Sequence, residues 1–266
     1  MNFLKYKQVS LIIAFCLLRV AAVGQVDTIK LENNRLNTAV LKPGLNQYLV
    51  YFQTPSANKA LRFWFWLRDI KKGTRNSEKV FTITQHWYGA DTSAYRYVYS
   101  INRAADFSPV YHKEIVRNKI NAFNWNGKKI IGADSVAQNT RKDFAFDFKL
   151  PNFNWNLDIE TFEMLPLATG KSFAINFYDA GLDPPSYIIY KVTGSEILTT
   201  LNNQKVDCWK LYTEGSHDGA NYSETYWISK KKHEFLKEED SFNGMFRYKI
   251  KLMGSASNLL ERFTSK

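Results

Sequence analysis

Tyr226-Trp227-Ile228-Ser229-Lys230-Lys231-Lys232-His233-Glu234-Phe235-Leu236-Lys237 reads as two strands joined by a basic turn. Aromatic and branched residues flank a short polar run, which is the grammar of an antiparallel hairpin. Side chains alternate faces along a strand, so Trp227 and Leu236 are expected inward and the three lysines in water. A lysine run of this length is the usual content of a hairpin tip, and by itself it names no partner.

Working outward, the same grammar recurs on both sides. Short aromatic and β-branched runs separated by Gly, Asn, Asp and Pro predict strands near 171–179, 186–199, 204–214, 222–229, 233–240 and 245–253. An earlier set is predicted near 47–54, 60–70, 78–88, 94–103, 109–117, 119–126, 128–133 and 143–149. Asn126-Gly127 and Asn202-Asn203 mark hairpin turns, and no parallel βαβ unit is implied. Between the sets, Trp155, Ile159 and Phe162 recur at i, i+4 and i+7, with Asp158 and Glu160 at the start and Pro166 at the stop. That spacing predicts one short amphipathic helix laying an apolar stripe on the sheet. The expected fold class is mainly β: a large antiparallel, strongly curved sheet or incomplete barrel with one short covering helix.

The first residues have the three parts of a secretory signal. Lys5 and Lys7 form a basic start, Val9 to Leu18 an apolar stretch, and Ala22-Val23-Gly24 a small-residue cleavage site. Arg19 cuts the apolar run below the length needed to span a bilayer. The expected organisation is therefore a signal peptide at 1–24 and a single antiparallel β domain at 25–266. Localisation is expected to be exported, in the periplasm or at the outer membrane, with no transmembrane span after cleavage. Losing Lys5, Lys7 and Arg19 takes three charges from +11 and leaves +8, a balance that favours anionic partners. Export argues against nucleic acid among them. Cleavage also removes Cys16, so Cys208 is left without a disulfide partner, and its neighbours Val206 and Trp209 place it in a buried strand.

Chemistry is poorly signalled. There is no G-x-S-x-G elbow, phosphate-cradling glycine loop or H-E-x-x-H helix, and His86, His112, His217 and His233 are scattered without zinc-ligand spacing. Glu160, Glu163, Asp179 and Asp183 are carboxylates that a glycan hydrolase would need in pairs, but pairing requires geometry. Glu238-Glu239-Asp240 reads as a solvated strand end. No catalytic residue, metal or cofactor is expected.

The strand Leu61-Arg62-Phe63-Trp64-Phe65-Trp66-Leu67-Arg68 is the best patterned. Leu61, Phe63, Phe65 and Leu67 point one way and read as core; Arg62, Trp64, Trp66 and Arg68 point the other. Two large rings bracketed by guanidinium groups suit a sugar ring, or an acyl chain beneath an anionic head. The bland alternative is tryptophans under the helix or a loop with arginines reaching water. Tyr95, Tyr97 and Tyr99, and Phe81, Ile83 and Trp87, extend the aromatic theme to neighbouring strands.

Gly170-Lys171-Ser172-Phe173, Tyr190-Lys191-Val192-Thr193-Gly194-Ser195-Glu196, Asp207-Cys208-Trp209-Lys210-Leu211, Tyr226-Trp227-Ile228-Ser229 and Phe235-Leu236-Lys237-Glu238 follow one another at hairpin spacing. This order resembles an uncharacterised family of exported bacterial domains of unknown function. It is more distantly similar to the half-barrel carriers that ferry lipoproteins across the periplasm. The resemblance is strongest over 155–253 and implies an incompletely closed antiparallel barrel around a helix, with no catalytic residues to carry over. The long Arg- and Trp-rich first half departs from the carriers. The function expected is a non-enzymatic exported protein binding an apolar or amphiphilic ligand, an anionic lipid or a glycan, through Arg62, Trp64, Trp66 and Arg68. An envelope assembly module binding a protein partner is the alternative, and a glycan hydrolase the second.

Overall fold

The computed structural model describes residues 26–33, 35–54, 62–182, 184–217, 219–254, 258, 259 and 261. The signal at 1–24, Cys16, Leu61 and Asp183 lie outside the described residues. The first run of strands is β1 (Val26–Ile29), β2 (Gly44–Gln53), β3 (Arg62–Arg75), β4 (Glu78–Tyr88), β5 (Arg96–Arg103), β6 (Pro109–Val116), β7 (Lys119–Trp125), β8 (Lys129–Gly132), β9 (Ala145–Asp147) and β10 (Phe153–Asn154). A 3-10 turn, Trp155–Leu157, leads into the helix α1 (Asp158–Glu163). β11 (Ser172–Tyr178), β12 (Ser186–Thr199), β13 (Lys205–His217), β14 (Ala220–Ser229), β15 (Phe235–Phe242) and β16 (Met245–Lys251) follow.

All sixteen strands belong to one mixed sheet that does not close into a barrel. β2 to β9 and β11 to β16 are two antiparallel meanders, joined side by side where β16 pairs with β2. β1 and β10 were not legible as strands; both pair in parallel with β11, β1 along Ser172–Ile175 and β10 at Phe177 and Tyr178. Each is short and pairs in parallel, β1 with a partner far along the chain and β10 across the α1 crossover, so neither carries a hairpin signal; β10, α1 and β11 form a parallel unit that the sequence did not imply.

Turn chemistry sets the registers. Arg117-Asn118 and Asn243-Gly244 are two-residue loops with positive φ at both positions, the type I′ geometry that matches strand twist. At the second of these Gly244 takes φ 77° without steric cost. The turn expected at Asn126-Gly127 sits one residue later: the Asn126 amide donates to the Lys129 carbonyl, and its side chain accepts from the Lys128 and Lys129 amides. β3 runs on to Arg75, beyond the expected end, as an exposed ribbon with β4. Register shifts at Val192/Gly194, Ile101/Asn102 and Trp227/Ile228 add the local bends that curl a sheet.

The concave face holds the main core, built from residues of β1 to β4, β11 to β15 and α1, with Tyr48, Ile83, Phe162, Phe173, Tyr190, Leu211, Tyr226 and Phe235 among its buried members. Two facing expectations are reversed. On β3 the inward face carries Trp64, Trp66 and Arg68, while on the convex side Phe63 is exposed, Phe65 is half-buried and Leu67 is buried as expected. On the 226–237 hairpin, Tyr226, Ile228 and Phe235 enter the main core; Trp227 and Leu236 form a convex cluster with Cys208, Leu198 and Val206. Lys210 and Lys237 approach the Trp227 ring and shield it from water. Burial pushes the Cys208 thiol up to about 11, as an inert structural thiol requires.

α1 is not the one-sided amphipathic helix that its spacing predicts. Ile159, Thr161 and Phe162 are buried, and so are Glu160 and Glu163. A sheet curled this far surrounds the helix and leaves its polar side no water, so each carboxylate needs a protein partner. Phe162 packs against the rings of Phe177, Tyr190 and Tyr226. The Glu163 carboxylate accepts from the Phe235 amide at 2.8 Å, and burial lifts its pKa to about 7.

A raised glutamate pKa means that the folded state holds its proton to higher pH than the unfolded chain, so this contribution to stability is present below the ordinary glutamate pKa and is lost as pH rises through about 7. Relative to Glu163→Gln, the wild type should lose about 2–3 kcal/mol between about pH 4.5 and pH 8. Urea midpoints of both proteins across that range measure the difference, and parallel curves would contradict the assignment.

Candidate ligand-binding site

The inward face of β3 meets its neighbours in rows. Trp66, Trp87 and Arg96 are successive partners across β3, β4 and β5. Trp66 and Trp87 stack with ring centroids 3.9 Å apart and planes 10° from parallel. The Arg96 guanidinium lies 4.3 Å from the Trp87 centroid, and Lys249 Nζ lies 4.7 Å from that of Trp66. Two rings are thus sandwiched between two cations, a partly desolvated arrangement that stabilises each cation by about 1–2 kcal/mol.

One row further in, Arg68 is 2% exposed and locked to the helix. Its guanidinium donates to Glu160 at 2.6 Å, to the Asn156 carbonyl at 3.2 Å and to Asp158 at 3.4 Å. Burial disfavours its charge, but Glu160 and Asp158 more than offset this and hold its pKa above the ordinary value. Gln85 donates to the same Asn156 carbonyl at 2.8 Å and accepts from the Trp87 indole. The Asn156 side chain accepts from Arg96 at 2.9 Å and donates to Asp179 at 2.9 Å. The 3-10 turn before α1 is therefore pinned from three strands.

β14, β15 and β16 supply the floor. Glu224, Asp240 and Arg247 are successive partners in one row, and Tyr226, Glu238 and Lys249 in the next. Arg247 donates to Glu238 at 2.5 Å and also to Asp240; Lys249 donates to Glu238 as well, and the Tyr226 hydroxyl donates to Glu224 at 2.6 Å. Burial opposes the Glu238 charge, but Lys249 and Arg247 overcome it and hold the pKa down at about 2. Asp240 goes the opposite way, raised by burial and then by the Glu238 charge. Like carboxylates around one guanidinium cannot all ionise cheaply, and the Asp240 shift is in that direction.

Beside α1 these rows leave a two-lobed cleft. An inner lobe of about 500 Å³ is lined by Trp64, Trp66, Trp87, Tyr95, Arg96 and Arg117. An outer lobe of about 570 Å³ is lined by Leu182, Ile188, Tyr222, Phe242, Met245 and Phe246. Phe52, Trp155, Asp179, Glu224 and Arg247 border both. α1 thus fills the part of the concave face next to Phe162 and leaves the part beyond Trp155 open. Leu182, Phe242, Met245 and Phe246 are exposed at the outer lobe. Arg117, at the tip of the β6–β7 turn, is exposed and lacks an ion pair among the described residues.

Three of the four residues expected to bind ligand, Trp64, Trp66 and Arg68, line the inner lobe. Arg62 stands exposed at the start of β3 and lines neither lobe. Among the weighed carboxylates, Glu160 is consumed by Arg68 and Glu163 by the Phe235 amide; Asp179 borders the cleft. Tyr97 and Tyr99 belong to the face opposite Arg96 and Val98, so they do not join the concavity. His112 is buried and hydrogen-bonded with Ser100 and Asn154, and burial holds its pKa down at about 4. Reading Glu238-Glu239-Asp240 as solvated was wrong for Glu238 and Asp240, which are buried under Arg247. A signal was present: Asn243-Gly244 is a tight turn, and pairing across it sets Glu238 and Asp240 opposite Lys249 and Arg247. Among the described residues, no cluster of His, Cys, Asp and Glu is arranged to hold a metal ion.

The family described as "Protein of unknown function (DUF3108)" matches residues 47–251, a span holding every residue that lines the cleft. The chain belongs to the DUF3108 family. The DUF3108 match carries the likeness seen in the C-terminal hairpins back through the Arg- and Trp-rich first half, so both lobes lie within DUF3108 sequence. No curated protein matches the chain.

Replacing Arg68 by Met should strand Glu160 as a buried, unpaired carboxylate and cost about 3–5 kcal/mol. In Arg68→Met/Glu160→Gln much of that loss should return, because the buried charge is gone. Denaturant unfolding of the two single variants and the double one measures the coupling; additive losses would show that the pair does not hold the helix.

Proposed function

We propose that this protein is an exported, non-enzymatic binding protein of the bacterial envelope whose ligand is a single-chain amphiphile with an anionic head. The observation that carries this reading is the division of one cleft into a cationic aromatic lobe and an exposed apolar lobe. A chain laid along Ile188, Phe242, Met245 and Phe246 removes apolar surface from water, and the head then meets Arg117 at the far end. Arg68 cannot be that anchor, because Glu160 and Asp158 already neutralise it. Arg117 takes the role first assigned to Arg62 and Arg68. Export rests on the basic, apolar and small-residue pattern of 1–24, and the likeness to lipoprotein carriers supports the same compartment.

Native mass spectrometry of protein purified from its own envelope should show an added mass in the range of a lipid or fatty acid. Titration of the purified protein with lysophosphatidylglycerol should change tryptophan emission, since Trp64, Trp66 and Trp87 line the lobe. Arg117→Ala should weaken binding about tenfold, and Phe246→Asp by more. A ligand-free mass together with unchanged emission on titration would overturn the proposal and favour an envelope assembly role for the exposed apolar rim.

A further inference from the structure

At the opposite end of the C-terminal meander, two hairpin tips stand side by side. The loop between β12 and β13, residues 200–204, and the loop between β14 and β15, residues 230–234, flank a groove of about 660 Å³ on a part of the surface separate from the cleft. Five lysines line it: Lys205, Lys230, Lys231, Lys232 and Lys251. Two are spoken for, Lys230 by Asp207 at 2.9 Å and Lys251 by Glu234 at 2.5 Å. The other three, Lys205, Lys231 and Lys232, are exposed and have no ion pair among the described residues. With both groove carboxylates already matched, the groove keeps an excess of three positive charges.

Apolar side chains share this end. Leu201, at the tip of the first loop, is 60% exposed, and Ile197 on the same hairpin is 57% exposed. The loop geometry holds Leu201 out: the Thr200 amide donates to the Gln204 carbonyl, and Asn203 takes φ 61°, the left-handed residue that closes a three-residue hairpin loop. The second tip is held too, by Lys232 and His233 amides bonded back to Ser229.

We propose that these two hairpin tips dock the protein on an anionic lipid surface. Phosphate head groups complement Lys205, Lys231 and Lys232, and Leu201 and Ile197 enter the boundary between head groups and acyl chains. A soluble polyanion satisfies the lysines equally well but offers nothing to Leu201 and Ile197, and that difference selects the bilayer. The site is independent of the cleft, so either reading stands if the other fails.

Co-sedimentation of the purified protein with vesicles of phosphatidylcholine plus phosphatidylglycerol, and with phosphatidylcholine alone, tests it. Binding is expected only to the anionic vesicles, falling as NaCl rises from about 0.1 to about 0.5 M. Lys205→Gln/Lys231→Gln/Lys232→Gln should lower vesicle affinity roughly a hundredfold with melting temperature unchanged, since each lysine near an anionic surface contributes roughly fivefold. Leu201→Asp should also weaken binding, and the cleft variant Arg117→Ala should leave it intact. Equal binding to neutral vesicles, a triple variant that binds as well as the wild type, or retention on heparin without any vesicle binding would each overturn the proposal.

Discussion

A guanidinium buried between sheet and helix governs the arrangement. Once the sheet curls far enough to enclose α1, the polar side of that helix has no solvent, and Glu160 must find a cation or lose its charge. Arg68 supplies it, and in doing so brings β3 against the 3-10 turn, where Gln85 and Arg96 converge on Asn156. The pair adds little net stability, because two charges leave water to make it. Its effect is positional: it fixes how far α1 reaches across the concave face, and hence where the filled core stops and the cleft begins.

Across the cleft, cations are held in two different ways. Arg96 and Lys249 lie over the stacked Trp66 and Trp87 rings while also meeting carboxylates; Arg247 is shared between Glu238 and Asp240. Such groups shape the wall and cannot swing out to greet a ligand without leaving a buried charge unpaired. Arg117 differs in standing on a two-residue turn, exposed and outside the network. The cleft therefore has rigid aromatic walls and, at its rim, an arginine with no ion pair among the described residues, so its shape is set by the fold itself.

Much of this was legible in the sequence, because strands announce themselves through period-2 patterning and hairpins through their turn residues. The long strands of both meanders, the helix between them and the buried Cys208 follow from such local signals. Facing does not. Alternation shows that Trp64 and Trp66 oppose Phe63 and Phe65, but which pair meets the core depends on the sense of curl, and both pairs are apolar enough for either answer. Buried charge was also opaque: Glu160, Glu238 and Asp240 look like surface residues until register brings Arg68, Arg247 and Lys249 beside them. β1 was hidden because a parallel partner more than a hundred residues away leaves no mark on its own four residues, and β10 because it is only two residues long.

The pairing of β16 with β2 sets Phe246–Lys251 against Tyr48–Gln53 and makes the last strand the seam between the two meanders. Contacts so distant in sequence close slowly, because the intervening chain must be ordered before they form. Lys249 and Arg247 arrive only with that strand, and without them Glu238 has no counter-charge and the Trp66 ring no cap. A chain emerging from its amino end therefore has no complete cleft until almost all of it has been delivered. The cleft is thus among the last parts of the fold to be completed, although its aromatic walls on β3 and β4 come early in the chain.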